Sequence, residues 1–330
     1  MEPWSLNTLL LIFGCGIFGA CLGALWSFIL CGLLILSGCL IVAAGGSDFM
    51  LLQVGLGPIW GPHVGGFASG VAAATYAAGY RKNHPTGHAK DILSPLVDTS
   101  WDVLIIGGVF ALLGHALVQF LPKIPIINQF DSLALSLFIS YCIAKILFLK
   151  EMPWGNMDSI HKHGYLGTDN YAISWVGWQS PPSRLFTIGL GMGLLSGGLA
   201  MGFKNLLAPL VVKGSVTPTA AFVVPLIVAY AFAAITLMIL NFATGTIQKA
   251  PVTHAIAYCG ALAYLFTGSL VIAGIAGVLS AFLQELGARM FYNHGNSHFD
   301  PPTVAVMFGS FIMAMLFKPE FLNLASYFKQ

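Results

Sequence analysis

Apolar runs near or above twenty residues recur along the whole chain: Leu6 to Leu25, Trp26 to Ala44, Val103 to Leu121, Leu133 to Leu149, Leu185 to Phe203 and Thr219 to Asn241. A run of roughly 20 apolar residues, wound as a helix, matches the hydrocarbon thickness of a bilayer. Inside hydrocarbon each backbone N–H and C=O must be paired within the protein, which leaves helices or closed barrels. Barrel strands are about half as long as these runs, so the sequence predicts an all-α, polytopic integral membrane protein. Composition agrees: AVILMFWYC residues make up 57% of the 330 and charged residues 8%, where soluble domains carry about a quarter. No polar stretch is long enough for a separate soluble domain. The tract from His254 to Arg289 is too long for one upright span and reads as two helices meeting near Gly268, bringing the expected total to roughly ten or eleven crossings.

A second feature divides the chain. Asn83-His84-Pro85-Thr86-Gly87-His88-Ala89-Lys90-Asp91 returns as Asn293-His294-Gly295-Asn296-Ser297-His298-Phe299-Asp300, and the apolar segments Val64 to Gly70 and Ile275 to Ala281 precede the two copies. Nine histidines in the whole chain make such a recurrence informative, and we expect two internally duplicated halves. Residues 1–150 form the first repeat with a linker helix, 151–183 an aromatic-rich polar connection, and 184–330 the second repeat. Six runs separate the histidine motifs, and an even number returns both to one side of the membrane; an uncrossed linker would instead give inverted copies. Basic residues favour the histidine face being cytoplasmic.

Several classes fall away. A formal charge of +2 without a dense Lys/Arg block gives nucleic acid no footprint. The six cysteines lie inside apolar runs without CxxC spacing, which predicts neither disulfides nor a zinc knuckle. Met1 to Asn7 lacks a basic n-region, so the first run is expected to stay as a membrane helix. Nucleotide-loop, GxSxG and HExxH motifs are absent from the sequence.

Functional residues are sought where the apolar pattern breaks. Gly55 to Gly66 holds two Pro and several Gly, including Gly57-Pro58 and Gly61-Pro62, and cannot remain helical. Within a bilayer such backbone must be buried in protein or line a wet cavity, which makes a discontinuous helix the strongest local pointer to a solute site. Trp60 and His63 in this segment, Asp48 just before it, His254 at the head of the long tract and the intramembrane Glu285 are the expected pathway residues. For Glu285 an i,i+4 ion pair with Arg289 is the plain alternative. Lys145, near a helix end, is expected to snorkel toward the interface. The small-xxx-small pairs Gly19/Gly23, Gly193/Gly197 and Gly198/Gly202 are expected to pack helices closely. His84, His88, Asp91, His294, His298 and Asp300 together offer imidazoles and carboxylates suited to a divalent transition metal shared between the halves, or, as the plainer alternative, two structural loops. The reading that unites these features is a transporter or channel for a small solute or ion in the cell inner membrane, its path running between the halves. The alternatives are a membrane subunit, within a homo-oligomer or larger complex, that docks a soluble partner on the histidine face, and a histidine-ligated metalloenzyme.

Overall fold

The structure, a computed structural model, describes residues 2–167, 173–242 and 249–317. Among the described residues the only β-type pairing is a single parallel bridge between Ala89 and Ser297; the rest is helix, turn and loop. Twelve α-helices follow in order: α1 (Leu6–Leu22), α2 (Ala24–Ala43), α3 (Ala68–Tyr76), α4 (Trp101–Phe120), α5 (Ser132–Ala144), α6 (Met157–His163), α7 (Pro182–Val212), α8 (Pro218–Thr236), α9 (Ile239–Phe242), α10 (His254–Thr267), α11 (Leu270–Gly287) and α12 (Pro301–Phe317). Six helical stretches are long and apolar enough to cross a membrane, and α1, α10 and α12 are shorter apolar helices. The remaining crossings expected from the sequence shrink to a π turn at Met50–Gly55 and the nine-residue α3, which share one broken path. Phe321 to Gln330, which the sequence marks as an interfacial segment, lies with the rest of 318–330 outside the described residues.

The boundaries have local causes. Ser5, Asp131, Asn156, Thr217 and Ser269 each turn a side-chain oxygen onto the first backbone N–H groups of α1, α5, α6, α8 and α11. Gly268, at φ +71, separates α10 from α11 as the sequence predicts, its N–H bonding Tyr264 O at 2.7 Å. Pro225 lies within α8 without ending it. α3, α5 and α11 all finish in π turns, at Ala77–Arg81, Lys145–Leu149 and Ala288–Tyr292, and the first and last of these lead into the two histidine loops.

The small residues sort into two kinds. A Cβ on Gly193 would lie 2.5 Å from Ala273 O and one on Gly197 2.7 Å from the Ala273 side chain, so α7 and α11 touch through this pair as expected. Gly198 and Gly202 have nothing within 4 Å and pack no helix within the chain. Gly23 packs against the Ser94 backbone, where a Cβ would lie 2.5 Å from Ser94 O, and at φ +82 it is also the hinge between α1 and α2, where only glycine is unstrained. Gly19 packs against the backbone of Gly65 in the broken segment and against Ser69 of α3.

α10 is the innermost helix, buried from His254 through Ala263 and flanked by α7, α8, α11 and α12. Its first turn does not start at the surface. Residues 250–253 are non-helical, and their backbone is held by side chains: Trp178 Nε1 donates to Ala250 O (3.1 Å), Gln179 Nε2 to Val252 O (3.1 Å) and Gln284 Nε2 to the same oxygen (2.9 Å), while Val252 N donates to Gln179 Oε1 (2.9 Å). A buried non-helical backbone would be costly without these partners. Gln179 and Gln284 therefore set where α10 begins.

Candidate functional site

The two histidine loops meet. Beside the Ala89/Ser297 bridge, His298 N donates to Ala89 O at 3.0 Å and Lys90 Nζ to Asn293 O at 3.2 Å, so both loops occupy one end of the helical body, here the histidine end. α4 leaves that end at Trp101, and its 20 residues span about 30 Å to the opposite end near Lys123.

Four cavities are strung between those ends. The outermost, about 530 Å³, is lined by His88, Lys90, Asp158, Asn293 and His294. Lys90 is shared with the next, of about 280 Å³, whose walls include Phe28, Phe67, Trp175, Trp178, Tyr292, His254, His298 and Asp300. Phe28, Phe67, His254 and Asp300 are shared in turn with a narrow space of about 60 Å³ that also touches Asp131, Tyr230 and Tyr258. Leu56 and Leu133 are common to this space and a last cavity of about 440 Å³, which reaches Asp48, His63, His115, Lys123 and Thr219. Polar side chains thus mark every stage of the column, and two leucines stand at its narrowest passage.

The broken segment forms part of this column, as expected, although its residues divide. His63 is buried and lines the last cavity, with Nδ1 unpaired. Trp60 lines none of the four cavities: its Nε1 donates to Ser27 O at 3.1 Å and its ring packs on Phe18, so it fastens the segment to α2 and α1. A Cβ on Gly114 of α4 would collide with His63 O, and one on Gly61 would sit 2.6 Å from Gly57 O, which explains why this backbone tolerates only glycine there. Asp48 lines the last cavity and accepts from Thr217 Oγ1 at 2.9 Å. His254 lines two cavities, its ring set between Phe28 (4.9 Å) and Tyr230 (5.3 Å), and Nδ1 has no partner. Glu285 lines none of the four; it pairs with Arg289 at 2.9 Å, the plain alternative for an i,i+4 pair.

The expected metal set does not assemble. Among the described residues no group of three or more His, Cys, Asp or Glu is placed to hold an ion. The reason lies in prior commitments. His84 Nε2 bonds Asp91 O (3.2 Å) and Nδ1 faces Thr86, while His294 is engaged on both nitrogens, by Ser159 Oγ (3.0 Å) and Tyr165 O (3.1 Å). His88 is exposed. Asp91 closes its own loop by accepting from Leu93 N, Ser94 Oγ and Thr86 Oγ1. Burial raises the Asp91 carboxyl, and these bonds outweigh it and bring it below its ordinary value. Burial lowers the His84 imidazole, against the opposing pull of Asp91. His298 and Asp300, 3.6 Å apart, face the 280 Å³ cavity, while His88 and His294 line the outer one.

Other residues act where the sequence assigned no role or a different one. Asp131 caps α5 and accepts from Tyr258 OH at 3.1 Å, coupling α5 to α10; an acid immediately before an apolar run is a cap signal that could have marked it. Lys145 does not snorkel: it is fully buried, and Nζ donates to Pro153 O and Phe291 O, tying the end of α11 to the chain beyond α5. Lys90, at the mouth between two cavities, lies 4.4 Å over the Tyr292 ring, and burial lowers its ammonium to about 8.

Fold and column define an all-helical bundle with the proportions of a membrane protein and a segmented polar interior. The chain belongs to a family of unknown function (DUF7973), whose model matches residues 1–154 and 211–329. No curated protein and no solved structure matches it.

Proposed function

We propose that the protein is a multi-pass transporter or channel of the cell inner membrane, moving a small solute or ion along the column of cavities. The observation that carries this reading is the succession of shared wall residues: Lys90, then His254 and Asp300, then Leu56 and Leu133, linking the histidine end to the opposite end. A path of this kind needs polar groups at intervals and a closure that excludes free leak. His298, Asp300, His254, Asp131, His63 and Asp48 supply the first, and the leucine pair the second. Broken helices converging on the path suit the same function, since backbone freed from helical bonding is tolerated where it lines a cavity.

Within this reading the halves are related repeats, each ending a helix in a π turn before its histidine loop, and the two loops pair where the repeats join. The His loops then serve as the joint between repeats rather than as metal ligands. Purified protein reconstituted in lipid vesicles tests the proposal by stopped-flow light scattering with acetate, glycerol and ethylammonium as probes. Entry of at least one of them well above the protein-free rate is expected, and rates equal to protein-free vesicles for all three would overturn it.

A further inference from the structure

The 280 Å³ cavity at the histidine end differs in kind from the other three. It lies at the lower edge of the roughly 300–1,000 Å³ typical of pockets for drug-sized molecules, and it has the expected make-up of such sites, apolar and aromatic walls with few polar groups. Phe28, Phe67, Trp175 and Trp178 form its aromatic walls, and Lys90, His254, His298 and Asp300 are its polar groups.

The polar groups of this cavity are unevenly partnered. His254 and His298 are more than nine-tenths buried, yet Nδ1 of His254 and both ring nitrogens of His298 lack a hydrogen-bond partner. Buried polar atoms are rarely left so, and unpaired ones clustered around one cavity call for a partner that binds there. Lys90 has one hydrogen bond, to Asn293 O, and the Tyr292 ring beneath it; among the described residues no carboxylate forms an ion pair with it. An ammonium has three donors, so with Asn293 O as its acceptor and the Glu151 carboxylate acting on it through space without an ion pair, Lys90 keeps donors to spare. Asp300 is better supplied. It accepts from Thr303 Oγ1 at 3.1 Å and stands 3.6 Å from His298 Nε2. The cavity therefore offers spare hydrogen-bonding groups within an apolar box, Lys90 and His298 both standing against the Tyr292 ring, and its one carboxylate is already partnered.

We propose that this cavity is a binding site for a small monocarboxylate with a compact apolar body, its carboxylate held by Lys90 with His254 or His298 and its body between Phe28, Phe67 and the two tryptophans. The proposal rests on the transport reading in making this the substrate site, though binding is measured without transport. Lys90, shared by the outer cavity and this one, would then be the first group to meet the ligand and the one that fixes its charge.

Isothermal titration calorimetry on the purified full chain in detergent tests it with cyclohexanecarboxylate, cyclohexanecarboxamide and cyclohexylamine. Saturable binding of the carboxylate alone is expected. Lys90→Gln should raise its Kd at least tenfold while Lys90→Arg restores most of the affinity, a rescue that a structural role for Lys90 would not give. Amide or amine binding as tightly as the acid, no saturable heat with the acid, or unchanged affinity in Lys90→Gln would each overturn the proposal. Tighter binding of the zwitterion 4-(aminomethyl)cyclohexanecarboxylate would overturn the monocarboxylate assignment by giving Asp300 to an ammonium. Vesicle flux with an intact response and no carboxylate binding would refute this site and leave the transport reading standing.

Discussion

Gln179 is the residue on which the inner architecture depends most sharply, and its removal gives a prediction with a definite sign. Its amide is fully buried and meets both backbone groups of Val252, accepting from N at 2.9 Å and donating to O at 3.1 Å. Gln179→Leu keeps the size of the side chain and deletes both bonds. Val252 O retains Gln284 Nε2, whereas Val252 N is left buried without a partner. An orphaned buried donor costs about 1–3 kcal/mol, and with the loss of the second bond the expected destabilisation is about 2–4 kcal/mol. At about 2–4 °C per kcal/mol for proteins of this order of size, the midpoint of thermal unfolding in detergent should fall by about 5–10 °C. A fall in Gln179→Leu under about 2 °C would refute the claim that this amide anchors the descent of the chain to His254.

Two further outcomes follow from the histidine end. Asp91 is held below its ordinary value of 3.8, so it stabilises the folded state fully above that value and loses the contribution as pH falls through its lower folded value; Asp91→Asn should flatten the acid side of the stability profile measured by thermal unfolding from pH 7 to pH 3. Ala89→Cys with Ser297→Cys places two thiols on directly bridged residues, and oxidation by copper phenanthroline should cross-link them within one chain, whereas Thr86→Cys paired with Lys123→Cys, at opposite ends, should not react.

Much of the architecture is legible in the sequence because the bilayer imposes a coarse, long-range pattern. Most of the long apolar runs become helices within a few residues of their expected limits, although the run expected from Leu185 to Phe203 continues as α7 to Val212, and the division of the tract from His254 to Arg289 at Gly268 follows from length and one glycine. Gly55 to Gly66 reads as a break because proline and glycine act on their own backbone, whatever surrounds them. The partners of individual side chains are another matter. Trp60 and His63 stand three residues apart in the same break, yet one is a peg against Ser27 and the other lines a cavity, and only the direction of each side chain separates them. The metal expectation counted ligand types without knowing that backbone carbonyls and a serine already occupy His84 and His294. Lys145 shows the same limit from the other side, since its place near a helix end suggests water and two carbonyls in the interior claim it instead. Gln179 carries no sequence signal at all, because its partner is the backbone of a segment more than seventy residues away.

The central claim is that solute passes between Leu56 and Leu133, the residues shared by the narrow space and the cavity at the opposite end. Flux through reconstituted vesicles, compared for the wild type, Leu133→Ala and Leu133→Trp, tests it most directly. Leu133→Ala removes part of the closure beside a space of about 60 Å³ and should raise the flux, while Leu133→Trp fills that space and should reduce it to the protein-free rate with the unfolding midpoint held within a few degrees. Equal flux in all three proteins would contradict the route.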